Sequence, residues 1–327
     1  MSYIKLLRKG LQAALKDPDT YFIGEDIMEP YGGAFKVSKG LSDEFPLQVM
    51  AAPMSEQGFT GMGIGMALAG ARVIVEIMFG DFITLCMDQM VNHASKFVGL
   101  YDRSLHFVLR TPMGGYRGYG ATHSQSLEKI LIGHPHIWLI APSVLHDPGL
   151  LLERALNIGN PVLFIENKLD YTRHMFENTA EAADCDLDYR STDFPTVKVS
   201  MKDEDEHEYA IITYGGLVYD AIAAQRTLYL EEEISVHVLS PSLVYPLDQE
   251  LLAEASTYEN IVLYEESQCG GSWASEIAAS IFEKGYHGSI KRISASLDVI
   301  GAAENLENST LPALKDLINA IKGFEND

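Results

Sequence analysis

Glu56, Phe82, His123 and Glu25 are the residues of this sequence whose types and surroundings suit chemistry. Glu56 lies in "MAAPMSEQGFTGMGIGMALAG", residues 50–70, a lone carboxylate at the mouth of an apolar, glycine-rich segment. Ser55 or a neighbour is placed to cap a helix whose first turn contains it. An acid there answers the helix dipole. A half-buried one also gains proton affinity and can share a proton with a ring nitrogen. Phe82, in "MFGDFITLC", stands where a strand hands over to a helix, either as core or as a flat surface for a heteroaromatic ring. His123 is in "RTPMGGYRGYGATHSQSLEK", a loop whose four glycines let backbone approach a ligand closely. Glu25, in "GED", ends a strand and belongs either to a solvated turn or to the carboxyl edge of a parallel sheet, where ligands bind.

Such residues need a scaffold, and the hydrophobic pattern describes one. "YIKLLRKGLQAALK" has helical period, "TYFIGED" is a short strand, and "RVIVEIMF" is a nearly continuous apolar strand of the buried parallel kind. "FITLCMDQMVNHASKFV" follows as a helix, then the strands "LHFVLRT", "IWLIAPS" and "PVLFIE". Strands separated by helices predict a doubly wound α/β domain over residues 1–190. Residues 174–207 are acidic and aperiodic, and a linker is expected at 191–206. Alternation then resumes from "YAIITYGG" to "SWASEIAASIFEKG", predicting a smaller α/β domain over 207–327.

Composition narrows the function. With 327 residues and a net charge of −22, the chain has no basic stripe for nucleic acid or an anionic membrane. The apolar run at 58–71 is shorter than the roughly 20 residues that span a bilayer, so no membrane role is expected. Absence of a signal-like or transit-like N-terminal segment predicts a cytoplasmic location. Cys86, Cys185 and Cys269 lack metal-ligand spacing and read as small thiols in a reducing compartment. No histidine spacing compels a metal site, and there is no P-loop, GxGxxG, nucleophile elbow or HExxH. The Gly-Asp-Gly segment followed some thirty residues on by Asn, which would hold magnesium and a diphosphate, is also missing.

In order along the chain, "YFIGEDI", "YGGAFKVSKGL", "PMSEQGFTGMGIGMALAG", "VEIMFGDFITLCMDQMVNHASK", "LRTPMGGYRGYGATHSQSLE" and "PVLFIEN" resemble the beta subunits of thiamine-diphosphate-dependent 2-oxo acid dehydrogenases. "AIITYGGLVYDAIAA", "VLSPSLVYPLD", "VLYEESQCGGSWASEIAASI" and "LPALKDLINAIK" carry the resemblance through nearly the whole chain. It implies a transketolase-like pyrimidine-binding domain followed by a transketolase C-terminal-like domain. It further implies that Glu56 meets the aminopyrimidine ring of thiamine diphosphate, that Phe82 stacks against that ring, and that His123 serves the reacting centre. Glu25 would share an acidic network with Glu56. A carboxyl group hydrogen-bonded to the far ring nitrogen favours the coenzyme's imino form, best in a dry pocket.

By the same resemblance, an alpha subunit supplies Mg2+ and the diphosphate grip in an α2β2 heterotetramer, and a lipoyl acyltransferase or other acyl carrier takes the acyl group from a 2-oxo acid. "APSVLHDPGLL" resembles the family's potassium loop and implies a structural K+. The sequence departs from the family at "LYDRS" and at "ISASLDVIGAAENLEN". Those departures keep open a split transketolase-like enzyme that passes a two-carbon unit to a sugar or carrier protein. A non-catalytic scaffold subunit is the third alternative.

Overall fold

The computed structural model describes residues 1–191, 193–202 and 208–324. Its strands are β1 (Thr20–Gly24), β2 (Val49–Ala51), β3 (Arg72–Glu76), β4 (Phe107–Met113), β5 (Trp138–Ile140), β6 (Val162–Asn167), β7 (Cys185–Arg190), β8 (Thr196–Met201), β9 (Tyr209–Thr213), β10 (Val236–Pro241), β11 (Leu243–Tyr245), β12 (Asn260–Gln268) and β13 (Ser289–Ala295). They form two sheets, β11-β5-β6-β4-β3-β1-β2 and β13-β12-β9-β10-β8-β7. The first is parallel except for β11, which runs antiparallel to β5. In the second, β13, β12, β9 and β10 are parallel, whereas β8 is antiparallel to both β10 and β7. This is the expected α/β architecture of a doubly wound sheet followed by a second α/β unit.

Period-two alternation sorts β3 and β4 between two cores. Val73, Val75, Phe107 and Leu109 meet Phe59 and Ile64 of the helix Glu56–Leu68. Ile74, Val108 and Phe164 meet the helices Tyr3–Ala14 and Pro148–Asn157. These two helices touch at glycines. A Cβ on Gly10 would lie 2.3 Å from the Gly149 Cα, so backbone would have to move. Gly10→Ala should therefore cost about 1–3 kcal/mol by overpacking, read as a lower urea midpoint at unchanged slope. Unaltered stability would mean the helices separate freely.

The same alternation places Glu76, Arg110 and Glu166 on the face of Ile74, Val108 and Phe164, at neighbouring positions of β3, β4 and β6. Arg110 donates through Nε to Glu166 Oε1 at 2.7 Å and pairs through its terminal nitrogens with Glu76 and Glu166. The Tyr171 hydroxyl also donates to Glu166. Arg110 is 1% exposed and Glu166 fully buried. Burial raises the Glu76 carboxyl, and Arg110 opposes that rise.

Two expectations change. β7 and β8 form an antiparallel hairpin at the edge of the second sheet. So residues 185–190, expected in the first domain, and residues 196–201, expected in the linker, are strands of the second sheet. Val197, Val199 and Met201 are buried there in alternation, a short period-two signal obscured by the surrounding charge. Residues 192 and 203–206 of the expected linker, and residue 207 of the expected second domain, lie outside the described residues. The single helix expected from Phe82 onward begins instead as 3-10 turns over Gly80–Cys86, passes through a π-type stretch over Asp88–Ala94, and becomes α-helical at Ser95–Tyr101. Among the described residues no helix is long and apolar enough to cross a membrane.

Candidate functional site

Strand order assembles the site. β6, β4, β3, β1 and β2 lie side by side and parallel, so the segments leaving their carboxyl ends emerge along one edge, where ligands bind in open α/β sheets. Lys168 follows β6, the His123 loop follows β4, Phe79 and Phe82 follow β3, Glu25 follows β1, and Glu56 follows β2. Gly24 pairs in register with Ala51, and the Ala52 N–H donates to the Gly24 carbonyl at 2.9 Å. Pro53 turns the chain, and the helix starts at Glu56 with Ser55 at its N-cap. The Ser55 side chain makes no cap hydrogen bond, so Glu56 is the acid of the first turn without a hydroxyl cap.

Glu56 is 9% exposed. Among the described residues its carboxylate has no hydrogen-bond or ion-pair partner. Glu25 is half-buried beside it; burial, then the negative charges of Asp26 and Glu56, raise the Glu25 carboxyl. Behind Glu56 lies Cys86, fully buried, whose thiol reaches the carbonyls of Glu56 and Phe82 at 3.8 Å each and accepts from Thr60 Oγ1 at 3.3 Å. Burial pushes that thiol up to about 12, so it stays neutral and ties two site segments together rather than reacting. All three cysteines are free, Cys269 at the surface.

Phe82 stands edge-on to His123, ring centroids 5.3 Å apart at 82°, and Phe79 does the same at 4.6 Å and 79°. Tyr119 closes on Phe79 at 5.9 Å. The imidazole is thus boxed by aromatic edges, while Thr122 Oγ1 lies 3.0 Å from its Nδ1. The Lys168 ammonium donates to the His123 carbonyl and sits 5.4 Å and 5.5 Å from the Phe79 and Tyr119 ring centres. Burial lowers Lys168 to about 8, against the attraction of Asp81, Glu266 and Glu307. Asp81 Oδ1 accepts from the Gln125 side chain at 2.8 Å and from its backbone N–H at 3.3 Å. The other Asp81 oxygen and the Ser124 hydroxyl are buried without a hydrogen-bond partner among the described residues.

Two of the loop glycines make close approaches within the chain itself. A Cβ on Gly114 would lie 2.7 Å from Asn167 Nδ2 and 3.1 Å from Glu266 Oε1, and one on Gly115 would lie 2.3 Å from Leu311 Cδ1. Their lack of a side chain lets the loop approach the C-terminal half of the chain.

Comparison with known proteins matches residues 1–173 to the transketolase pyrimidine-binding domain and residues 198–317 to the transketolase C-terminal domain. The 2-oxoisovalerate dehydrogenase subunit beta of Bacillus subtilis is 34% identical over 86% of this chain and 84% of its own. The beta subunit of acetoin:2,6-dichlorophenolindophenol oxidoreductase from the same organism is 31% identical over 94% and 92%. The mitochondrial pyruvate dehydrogenase E1 component subunit beta-1 of Arabidopsis thaliana is 31% identical over 94% and 84%. The chain belongs to the beta subunits of the 2-oxo acid dehydrogenases. A solved split-gene transketolase, an inactive beta4 tetramer, superposes with a TM-score of 0.72 over 98% of this chain and 96% of its own at 17% identity, and shares the fold.

As a 2-oxo acid dehydrogenase beta subunit, the chain is part of a decarboxylating enzyme of a thiamine-diphosphate-dependent family. Its residues fit the pyrimidine half of that coenzyme. A sheltered carboxylate without an internal partner suits a ring nitrogen, and the aromatic residues along the same edge suit a flat heterocycle. Sequence reasoning missed Lys168, Asp81, Glu266 and Glu307. Lys168 and Asp81 carried the signal that marked Glu25, a charged residue just past a strand. The two C-terminal glutamates carried none, because their contacts with the loop span more than 140 positions.

Proposed function

We propose that this beta subunit activates thiamine diphosphate for 2-oxo acid decarboxylation together with an alpha subunit in an α2β2 heterotetramer, and that the acyl group passes to a lipoyl group of an acyltransferase. The observation that carries the reading is Glu56, a residue 9% exposed at a helix start whose carboxylate has no partner among the described residues. When bound, thiamine diphosphate supplies a nucleophilic carbon and an electron sink. Glu56 would hold a proton at the distal pyrimidine nitrogen, where exclusion of water strengthens the hydrogen bond. Phe82 would bear on the ring's face, and Glu25 would buffer the charge of Glu56. His123, restrained by its aromatic box, would donate or take a proton during acyl transfer.

Mg2+ and the diphosphate would be held by the alpha subunit, since this sequence lacks the Gly-Asp-Gly and Asn pattern. The helix Glu56–Leu68 supports an interface on that side: Gly58, Met62 and Gly65 are exposed along it, and Met54, just before it, is 79% exposed. A structural K+ belongs to the same reading, at the loop preceding Asp147, although the Asp147 Oδ1 already caps the helix Pro148–Asn157 through the Gly149 and Leu150 N–H groups. Three unpaired thiols support a reducing location, the cytoplasm.

The full chain co-produced with an alpha subunit should reduce a dye in a 2-oxo-acid-dependent manner, and should bind thiamine diphosphate with Mg2+ in a calorimetric titration. The beta chain alone should do neither. Tight coenzyme binding by the beta chain alone would overturn the shared-site reading.

A further inference from the structure

We propose that Glu266 and Glu307, two buried carboxylates of the C-terminal half, are positioning residues: they clamp the backbone of the loop Gly114–His123 and so set where the His123 ring stands for acyl transfer. The inference rests on the reading of His123 as a transfer residue.

The loop has no regular structure of its own. Tyr116 and the glycines 114, 118 and 120 have positive φ, and beyond β4 the segment joins neither sheet. Its shape is therefore set by what grips it. Glu266, at the end of β12 and 8% exposed, accepts from the Gly115 N–H and from Asn167 Nδ2 at 3.3 Å. Glu307, 2% exposed on the short helix Glu304–Thr310, accepts from two consecutive backbone groups, Arg117 N–H at 3.3 Å and Gly118 N–H at 2.9 Å. The Tyr116 hydroxyl donates to the Pro312 carbonyl, and Leu311 fills the space over Gly115.

Hydrogen bonds from backbone N–H to an ionised carboxylate are charge-assisted and stronger than neutral ones; burial raises the Glu266 carboxyl to about 7, while the Gly115 N–H and the Lys168 ammonium favour its ionised form. At the far end Lys168 holds the His123 carbonyl, and its ammonium offsets the two carboxylates. The loop is thus pinned at both ends by charge, with His123 beside the second anchor. Each glutamate touches only backbone of the loop. Neither contacts the imidazole, so their effect on chemistry passes through loop geometry, where a displacement of about 1 Å can cost about a hundredfold in rate.

The test uses Glu266→Gln and Glu307→Gln, each assembled with the alpha subunit, beside His123→Ala. Three quantities are read: single-turnover acyl transfer to a lipoyl domain, decarboxylation linked to a dye acceptor with its KM for the oxo acid, and tryptic cleavage after the exposed Arg117 followed by mass spectrometry. Acyl transfer should fall about tenfold or more in each glutamine variant, with decarboxylation within about threefold and KM unchanged. Cleavage after Arg117 should be faster in both, with the melting temperature lowered by no more than about 5 °C. Should Glu266→Gln fail to fold, Glu307→Gln, on the short helix Glu304–Thr310, carries the test. Wild-type transfer and cleavage in the glutamine variants while His123→Ala is slow would overturn the clamp, as would equal loss in both half-reactions. Wild-type transfer by His123→Ala would instead overturn the reading of His123 on which the clamp depends.

Discussion

Glu56→Gln in the assembled complex should lower oxo-acid-dependent turnover by about two orders of magnitude or more while leaving the fold intact. The amide keeps the size of the side chain and its place at the helix start, but it can neither release nor accept a proton at the coenzyme's ring. Positioned proton transfer contributes roughly 10²–10⁴ in rate, and the sheltered position of Glu56 puts it toward the upper part of that range. Stability should be nearly unchanged, because the carboxylate has no partner among the described residues to lose. Turnover by dye reduction and the melting temperature of the same preparation separate the two effects. Near-normal turnover would remove Glu56 from the chemistry; a large fall in melting temperature would mean that it supports structure.

Arg110→Met should be the most destabilising single change outside the site. Removing one partner of a buried ion pair typically costs about 3–5 kcal/mol, because the remaining charge has no compensation. Here two carboxylates, Glu76 and Glu166, would be left on the sheet face at 7% and 0% exposure. Methionine fills much of the arginine stem's volume, so the loss reports charge more than a cavity. Without the guanidinium, burial would raise the Glu76 carboxyl further above its unfolded value. The folded variant would then hold a proton that the unfolded chain has released. Its stability should therefore fall as pH rises through that raised value and be partly restored at mildly acidic pH. Urea unfolding of variant and parent at pH 5 and pH 7.5 checks this. A deficit that does not shrink on acidification would assign the effect to packing.

Much of the scaffold was legible because the period of the hydrophobic pattern is local. The continuous apolar stretches "RVIVEIMF" and "PVLFIE" read as strands buried on both faces, and "YIKLLRKGLQAALK" as an amphipathic helix. Short elements escaped. β2 and β11 have three residues each, and β11 joins the first sheet from the far half of the chain, a pairing no local pattern carries. The hairpin β7–β8 was hidden by charged residues on its exposed face, and the helical segment at Gly80–Ala94 departs from α geometry just where it must present Phe82 and Cys86.

The candidate residues divide in the same way. Glu25, Glu56 and Phe82 stand out in the sequence because each follows a strand or opens a helix, and His123 because it lies in a glycine-rich loop after a strand. Their arrangement along one edge follows from strand order, which residue types alone do not specify. Tertiary structure decided the rest. It turned the loop glycines toward Glu266, Leu311 and Glu307, it placed the Lys168 ammonium on the His123 carbonyl, and it gathered Glu76, Arg110 and Glu166 into one ionic group. Sequence periodicity records which face of an element is buried. What that face meets across 50 to 190 positions depends on how the elements pack, and there the interactions of this protein with the greatest energetic consequence lie.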